Sequence, residues 1–285
     1  MESLFKLIAR LPLPVLHGLG AMLGWLAYAL SPIYRRRFAA NSHLAGYAPS
    51  QVRAAIAHAG RMVAELPRLW WGAPVPVRWD GAELMDNAHA HGKGVIFLTP
   101  HLGCFEVAAQ AYAARYASMG KVITVLYRPA RKAWLQKFVS QSRSRTGLAA
   151  APATLSGVKA LVKALRSGQA LGILPDQVPP LGLGVWSEFF GHPAYSMTLP
   201  ARLAKQTGAT ILLAWGERLP SGSGYCVHLR PFRQDLADAP EQSAGQINAA
   251  MERLVRECPQ QYLWGYARYK QPRQDDVTNT AQKAS

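Results

Sequence analysis

A succession of short apolar runs, separated by helix-length segments, restricts this chain more than any other feature. Gly94 to Thr99 (GVIFLT) is a continuous apolar run that reads as a buried strand, and Val122 to Tyr127 (VITVLY), Ala170 to Leu174 (ALGIL) and Thr210 to Trp215 read as further strands. Helices are predicted over Leu102 to Met119, Trp134 to Ser144, Leu155 to Arg166 and Leu199 to Gln206, with a further strand at Tyr225 to Leu229 and an amphipathic helix at Glu241 to Glu257. Strands alternating with helices predict an α/β fold: a single domain with a mostly parallel central sheet flanked by helices. Phe38 to Trp71 reads as helical with a stop near Pro67, and Gly182-x-Gly184, lacking a third glycine, reads as a flexible loop.

The N-terminal end follows another rule. Leu11 to Tyr34 carries no charged side chain, and Arg35, Arg36 and Arg37 close the stretch. The 24 residues could span a bilayer. Pro12, Pro14 and Pro32 flank or interrupt the segment, so that its best helical part, Val15 to Leu30, is short for a span. Three readings stand side by side. One is a cleaved signal peptide with Ala27-Tyr28-Ala29 as a small-x-small site, the second a transmembrane anchor, and the third an interfacial helix whose arginines grip anionic head groups. The expected organisation is a membrane-associated helix over residues 1–37, an α/β domain over 38–270 and a polar, disordered tail over 271–285.

Charge narrows the partners. Thirty-two Lys and Arg against 16 Asp and Glu leave a formal charge of +16. No acidic residue lies between Glu106 and Asp176, whereas 11 basic ones do, Arg115, Arg128, Lys159, Lys163 and Arg166 among them. A solvated face usually mixes both signs; a one-sign stretch suits phosphates or an acidic carrier. The aromatics are not interleaved with the basic residues and no helix-turn-helix pattern stands out, which argues against nucleic acid. Cys104, Cys226 and Cys258 show no metal-ligand spacing and read as free thiols of a reducing compartment. Neither a metal nor a cofactor is expected.

Chemistry concentrates in Pro100-His101-Leu102-Gly103-Cys104-Phe105-Glu106, just after the first buried strand. In open α/β sheets, ligands gather at the carboxyl ends of strands. Residues five apart on one helix point about 140° from each other, so His101 and Glu106 meet only if His101 sits on the turn and Gly103 makes a tight corner. A carboxylate holding one imidazole nitrogen leaves the other free to take a proton, with a substrate hydroxyl as nucleophile. Spacing alone equally fits an N-cap carboxylate beside a buried histidine. Cys104 reads as filler, and there is no Gly-x-Ser-x-Gly elbow or His-Glu-x-x-His zinc site.

HLGCFE, with its His-x4-Glu spacing, resembles the first block of the glycerolipid acyltransferase superfamily. Tyr127-Arg128-Pro129, Pro175-Asp176-Gln177, Phe189-Phe190-Gly191 with Thr198 and Pro200, and Gln261-Tyr262-Leu263-Trp264 follow in order. Together they resemble the bacterial late acyltransferases of lipid A biosynthesis, over almost the whole chain. The resemblance implies an acyl donor on acyl carrier protein and a phosphorylated, acylated glucosamine disaccharide as acceptor, at the cytoplasmic face of the inner membrane. It implies His101 as general base and Glu106 as its orienting partner. Arg128 would face phosphate or the developing oxyanion, for which backbone N–H groups near Gly103 are the other candidates. Asp176 and Gln177 would shape the substrate site. A lysophospholipid acceptor, as elsewhere in the superfamily, and a non-enzymatic basic membrane scaffold are the alternatives.

Overall fold

The computed structural model describes residues 2–127 and 146–273. The predicted helix at 134–144, Arg128 and the tail beyond residue 273 lie outside them. The N-terminal part is helical: α1 (Glu2–Ile8), α2 (Leu13–Leu30), α3 (Pro32–Leu44), α4 (Ala54–Ala64) and α5 (Leu66–Trp71). The α/β part then runs β1 (Val77–Asp80), α6 (Ala82–Ala90), β2 (Val95–Leu98), α7 (Phe105–Tyr116), β3 (Ile123–Tyr127), β4 (Leu148–Pro152) and α8 (Leu155–Arg166). It closes with β5 (Ala170–Ile173), β6 (Gly184–Phe189), β7 (His192–Met197), α9 (Leu199–Thr207), β8 (Thr210–Arg218), β9 (Tyr225–Pro231) and α10 (Pro240–Glu257).

Seven strands form one sheet in the order β1-β9-β8-β2-β5-β3-β4. Every neighbouring pair is parallel except β8 and β9. Strand β2 shows why the sheet is covered twice. Val95 and Phe97 point into the layer of α5, α6 and α7, while Ile96 and Leu98 point into the layer of α3, α4, α8, α9 and α10. Four consecutive apolar residues are what a two-sided environment demands. The expected α/β architecture is therefore present.

Several boundaries differ from expectation, each for a local reason. The predicted helix over 38–71 is three helices: α3 ends at Leu44, and Pro67 sits at the start of α5 rather than closing a helix. The helix predicted from Leu102 begins at Phe105, because residues 102 and 103 form isolated bridges to other parts of the chain. Gly184 opens the β6–β7 hairpin; the two N–H groups of Gly182 and Gly184 donate to the Tyr195 hydroxyl at 3.0 and 3.2 Å. The edge strands β1 and β4 escape prediction because VRWD has no continuous apolar run and LAAAP consists largely of Ala and Pro, which are depleted in strands.

α2 has the length and apolarity of a membrane span, yet one side of it is packed against protein. Gly20 and Gly24 press on α4: a Cβ on Gly24 would stand 2.2 Å from the Ile56 carbonyl oxygen, and one on Gly60 would stand 1.9 Å from that of Gly20. Ser31 ends the helix and starts the next, its Oγ accepting from the Tyr34 N–H at 3.2 Å. Arg35 turns inward, donating to the Tyr28 carbonyl at 3.1 Å and to that of Ala29. It caps α2, while Arg36 and Arg37 remain exposed.

Candidate active site

Pairing in the centre of the sheet builds the site. β2 and β5 are parallel neighbours with Leu98 opposite Ile173, and the Thr99 N–H continues the ladder to the Ile173 carbonyl at 3.1 Å. Pro100 and Pro175 then stop both strands, since neither has an N–H to donate. The next residue on each is a reactive one: His101 on the first, Asp176 on the second. The register that pairs the strands thus delivers the imidazole to the carboxylate.

His101 Nδ1 lies 2.7 Å from Asp176 Oδ1, and the His101 backbone N–H donates to Oδ2 at 2.8 Å. Gln177 Nε2 sits 3.0 Å from His101 Nε2. With the carboxylate accepting a hydrogen bond from Nδ1–H and the Gln177 amide donating to the other nitrogen, the lone pair is on Nε2. Asp176 is 2% exposed. Burial alone would raise its carboxyl, but electrostatic attraction to the His101 ring and two hydrogen bonds from that residue outweigh burial and hold it below the usual carboxylate range.

Glu106 does not occupy the place expected of it. The carboxylate on the imidazole is that of Asp176. Glu106 is buried one residue into α7, where the Trp70 Nε1–H approaches its Oε2 at 3.5 Å. The reason is the turn itself: Gly103 holds φ +58° and pins residues 102–104 to distant segments, so α7 starts in a direction that carries Glu106 towards the sheet. The His101 ring instead packs on Phe105, centroids 5.1 Å apart.

Gly103 is the corner the spacing calls for. Its N–H donates to the Gln261 carbonyl at 3.0 Å, and the Cys104 N–H donates to that of Gly216 at 2.7 Å. The Leu102 N–H is used as well, on Pro100 at 2.7 Å, so the amides at 102–104 are engaged and do not serve as oxyanion donors. A Cβ at position 103 would stand 2.0 Å from the Gly216 oxygen. Gly103→Ala is expected to cost about 1–3 kcal/mol from its left-handed backbone alone and to displace the His101 loop. A drop in Tm together with a drop in turnover is the result expected; an unchanged Tm would contradict it.

The closing Gln261-Tyr262-Leu263-Trp264 segment straps this loop. The Leu263 N–H donates to the His101 carbonyl at 3.1 Å, and Leu102 bridges Tyr262. Burial, and then the nearby Asp176 charge, push the Tyr262 hydroxyl well above its usual range. Arg268, 2% exposed, adds positive charge near Asp176 while donating to the Tyr195 carbonyl at 2.8 Å and to Ser196 Oγ at 2.6 Å.

Beside the loop an apolar cavity runs between α7 and the sheet, lined by Phe97, Thr99, Phe105, Glu106, Tyr112, Val125 and Gly172 among others. Phe105, whose ring packs on that of His101, is one of its lining residues, so the cavity lies one side chain away from the imidazole. A hydrocarbon-lined cavity near an imidazole–carboxylate pair has the dimensions and lining to take an apolar chain.

Residues 3–271 match the bacterial lipid A biosynthesis acyltransferases as a family. The chain belongs to that family. A lipid A biosynthesis acyltransferase of Haemophilus influenzae is 29% identical over 186 residues, covering 65% of this chain and 56% of that relative. The lipid A biosynthesis lauroyltransferase of Escherichia coli is 25% identical over 281 residues, 93% of this chain and 88% of the relative. The palmitoleoyltransferase of the same organism is 24% identical, with 92% and 87% covered.

Sequence reading misses a buried group behind the site. Glu65, fully buried, accepts from Arg218 Nη2 at 2.6 Å and Nε at 2.9 Å and from the Tyr225 hydroxyl at 2.9 Å; His17 Nε2 of α2 lies 3.0 Å away. These residues are far apart in sequence and share no motif, so only their contact reveals them. The Arg218 backbone in turn holds the Gln261 side chain from both ends, at 3.0 and 3.1 Å. Cys104 lies in the same interior; burial, and then the Glu65 charge, push its thiol well above the ordinary range, which leaves it without a nucleophilic thiolate.

Proposed function

We propose that this protein transfers a fatty acyl group from the thioester of acyl carrier protein to a hydroxyl of a phosphorylated lipid A precursor. The observation that carries the reading is the His101–Asp176 dyad, with Phe105 between the imidazole and an apolar cavity, in a chain of this family. His101 Nε2 takes the proton of the acceptor hydroxyl as its oxygen attacks the thioester carbonyl. Asp176 keeps the ring in the required tautomer and stabilises the imidazolium. The Gln177 amide, displaced from Nε2 by the incoming hydroxyl, is placed to donate to the tetrahedral oxyanion in the role first given to the amides near Gly103. Collapse expels the carrier thiolate, which recovers the proton from His101. Glu106 lines the cavity, and Arg128 keeps its expected role towards phosphate or oxyanion.

Two surfaces support the partners. Lys159, Lys163 and Arg166 form an exposed basic stripe on α8, whose described length holds no acidic residue, which fits an acidic carrier protein. Val15, Leu19, Met22, Leu23, Leu26 and Leu30 make an exposed apolar stripe on α2, opposite the side packed on α4. That pattern supports the interfacial reading, with α2 lying in the surface of the inner membrane and the site on its cytoplasmic side.

Acyl transfer from radiolabelled acyl carrier protein to a lipid A precursor tests the reaction. Transfer to a lysophospholipid alone would replace the acceptor; no transfer to either would overturn the enzyme reading. The cavity gives a further prediction. A Cβ on Gly172 meets only ordinary contacts, 3.4 Å from Val125 and 3.8 Å from Ile123, so a longer side chain there extends into the cavity. Gly172→Leu is expected to shift donor preference to a shorter chain by several carbons, read by mass spectrometry of the product. An unchanged chain-length profile would remove the cavity from acyl binding.

A further inference from the structure

Large apolar side chains exposed among the described residues gather in two places besides α1, Val63 and Met119. One is the α2 stripe, continued by Ile33. The other is the segment leading from the site to the hairpin, where Leu181, Leu183 and Trp186 are 49%, 56% and 43% exposed. Three such side chains within six residues are unusual on a surface with nothing to cover them.

The segment is held rigidly. The Val178 N–H donates to the Tyr266 hydroxyl, Leu181 to the Arg273 carbonyl and Leu183 to that of Pro180, while Gly182 and Gly184 share the Tyr195 hydroxyl. With Pro179 and Pro180 carrying no N–H, every backbone donor from 178 to 184 is used. The leucines are thus presented outward by a fixed backbone.

Both patches rise from the same end of the sheet. Segment 178–183 follows β5 directly, past Gln177 on the His101 ring. α2 and the start of α3 cross that end too: Pro14 packs on Gly222 in the β8–β9 turn, His17 meets Glu65 beside Arg218 at the end of β8, and Tyr34 of α3 packs on Gly265, the residue after the strap. Exposed cations flank each patch, Arg36 and Arg37 beside Ile33 and Arg273 beside Leu181.

We propose that Leu181, Leu183 and Trp186 are a second membrane contact, inserting into an anionic bilayer surface on the opposite side of the His101 site from α2. The occupant is the bilayer: apolar tips ringed by cations match its interfacial chemistry, Trp sits well at that depth, and the acceptor proposed above resides there. Standing on two contacts, the enzyme presents Nε2 towards the membrane plane between them. The inference rests on the interfacial reading of α2.

Co-sedimentation of the full chain with acceptor-free vesicles of phosphatidylglycerol and phosphatidylethanolamine tests it. Leu181→Ser/Leu183→Ser and, separately, Leu23→Ser/Leu26→Ser are each expected to weaken partition about tenfold, with unchanged Tm. Trp186 emission, isolated as the difference between wild type and Trp186→Phe, is expected to be quenched by brominated phospholipid. Wild-type partition by the loop variant, with no quenching of Trp186, would overturn the second contact while leaving α2 in place. Failure of the wild type to bind vesicles at all would overturn the α2 reading and this one together. A loop variant changed only in its self-association would assign the patch to a second copy and likewise overturn it.

Discussion

His101→Ala is expected to lose at least about a hundredfold in turnover, the low end for removal of a general base. The ring is partly exposed and its polar partners are Asp176 and Gln177, so the sheet and the strap persist without it. Asp176→Asn should fall similarly by a different route. The backbone N–H of His101 still finds an oxygen, but an amide no longer stabilises the imidazolium formed when Nε2 takes the proton. Because the two residues act as one unit, the double variant should be little worse than either single one. A single-turnover assay saturated with the acylated carrier protein proposed as donor isolates the chemical step. Near-normal turnover by folded His101→Ala would end the general-base mechanism, and additive losses in the double variant would end the dyad.

Glu65→Ala should cost about 3–5 kcal/mol, the range for leaving one partner of a buried ion pair alone. Arg218, 3% exposed, would keep a charge with no carboxylate near it, and the Tyr225 hydroxyl would lose its acceptor. In a chain of this size that is on the order of ten degrees of Tm. Replacing both Glu65 and Arg218 by Met should recover much of the loss, since a well-packed apolar pair of similar volume is often as stable as the ions. The pH dependence follows from the same group. Burial would raise the Glu65 carboxyl, but the charge of Arg218 and hydrogen bonds from His17 and Arg218 bring it down to about 2. A carboxyl lowered on folding adds stability that is complete above its unfolded value and is lost as pH falls towards the folded one. Acid unfolding should therefore lose a contribution on the order of 3 kcal/mol between about pH 4.5 and 2, and Glu65→Gln should abolish that part of the slope. An acid transition identical in Glu65→Gln and wild type would contradict this.

The sequence is a good guide to individual elements where the environment is two-sided. GVIFLT and ALGIL are legible because both neighbours of each strand, and both covering layers, demand apolar residues. The β6–β7 hairpin is not, because Gly184 to Met197 mixes polar and aromatic residues, and its partners lie on α10 and at Arg268. Arg35 shows the same limit from the charge side. As one of three consecutive arginines it reads as a head-group ligand, yet the carbonyl end of α2 claims it. At the site, His101 and the corner at Gly103 follow from the motif, whereas the partner of the imidazole does not. Glu106 is near in sequence, but Asp176 is near in space, 75 residues on.

By itself the sequence determined the strand-and-helix alternation, the apolar N-terminal segment, the uneven positive charge and the reactive turn after β2. Each of these rests on periodicity or composition over a few neighbouring residues, where local sterics and burial act. Tertiary structure alone decided that β5 lies against β2, that Glu106 turns towards the sheet, and that α2 is tied through His17 to Glu65. Strand order is set by the pairing and packing of the entire sheet, a sum over contacts between distant segments that no short window contains. The same holds for a buried ion pair assembled from α4–α5, β8 and β9, whose members meet only when the core closes around them.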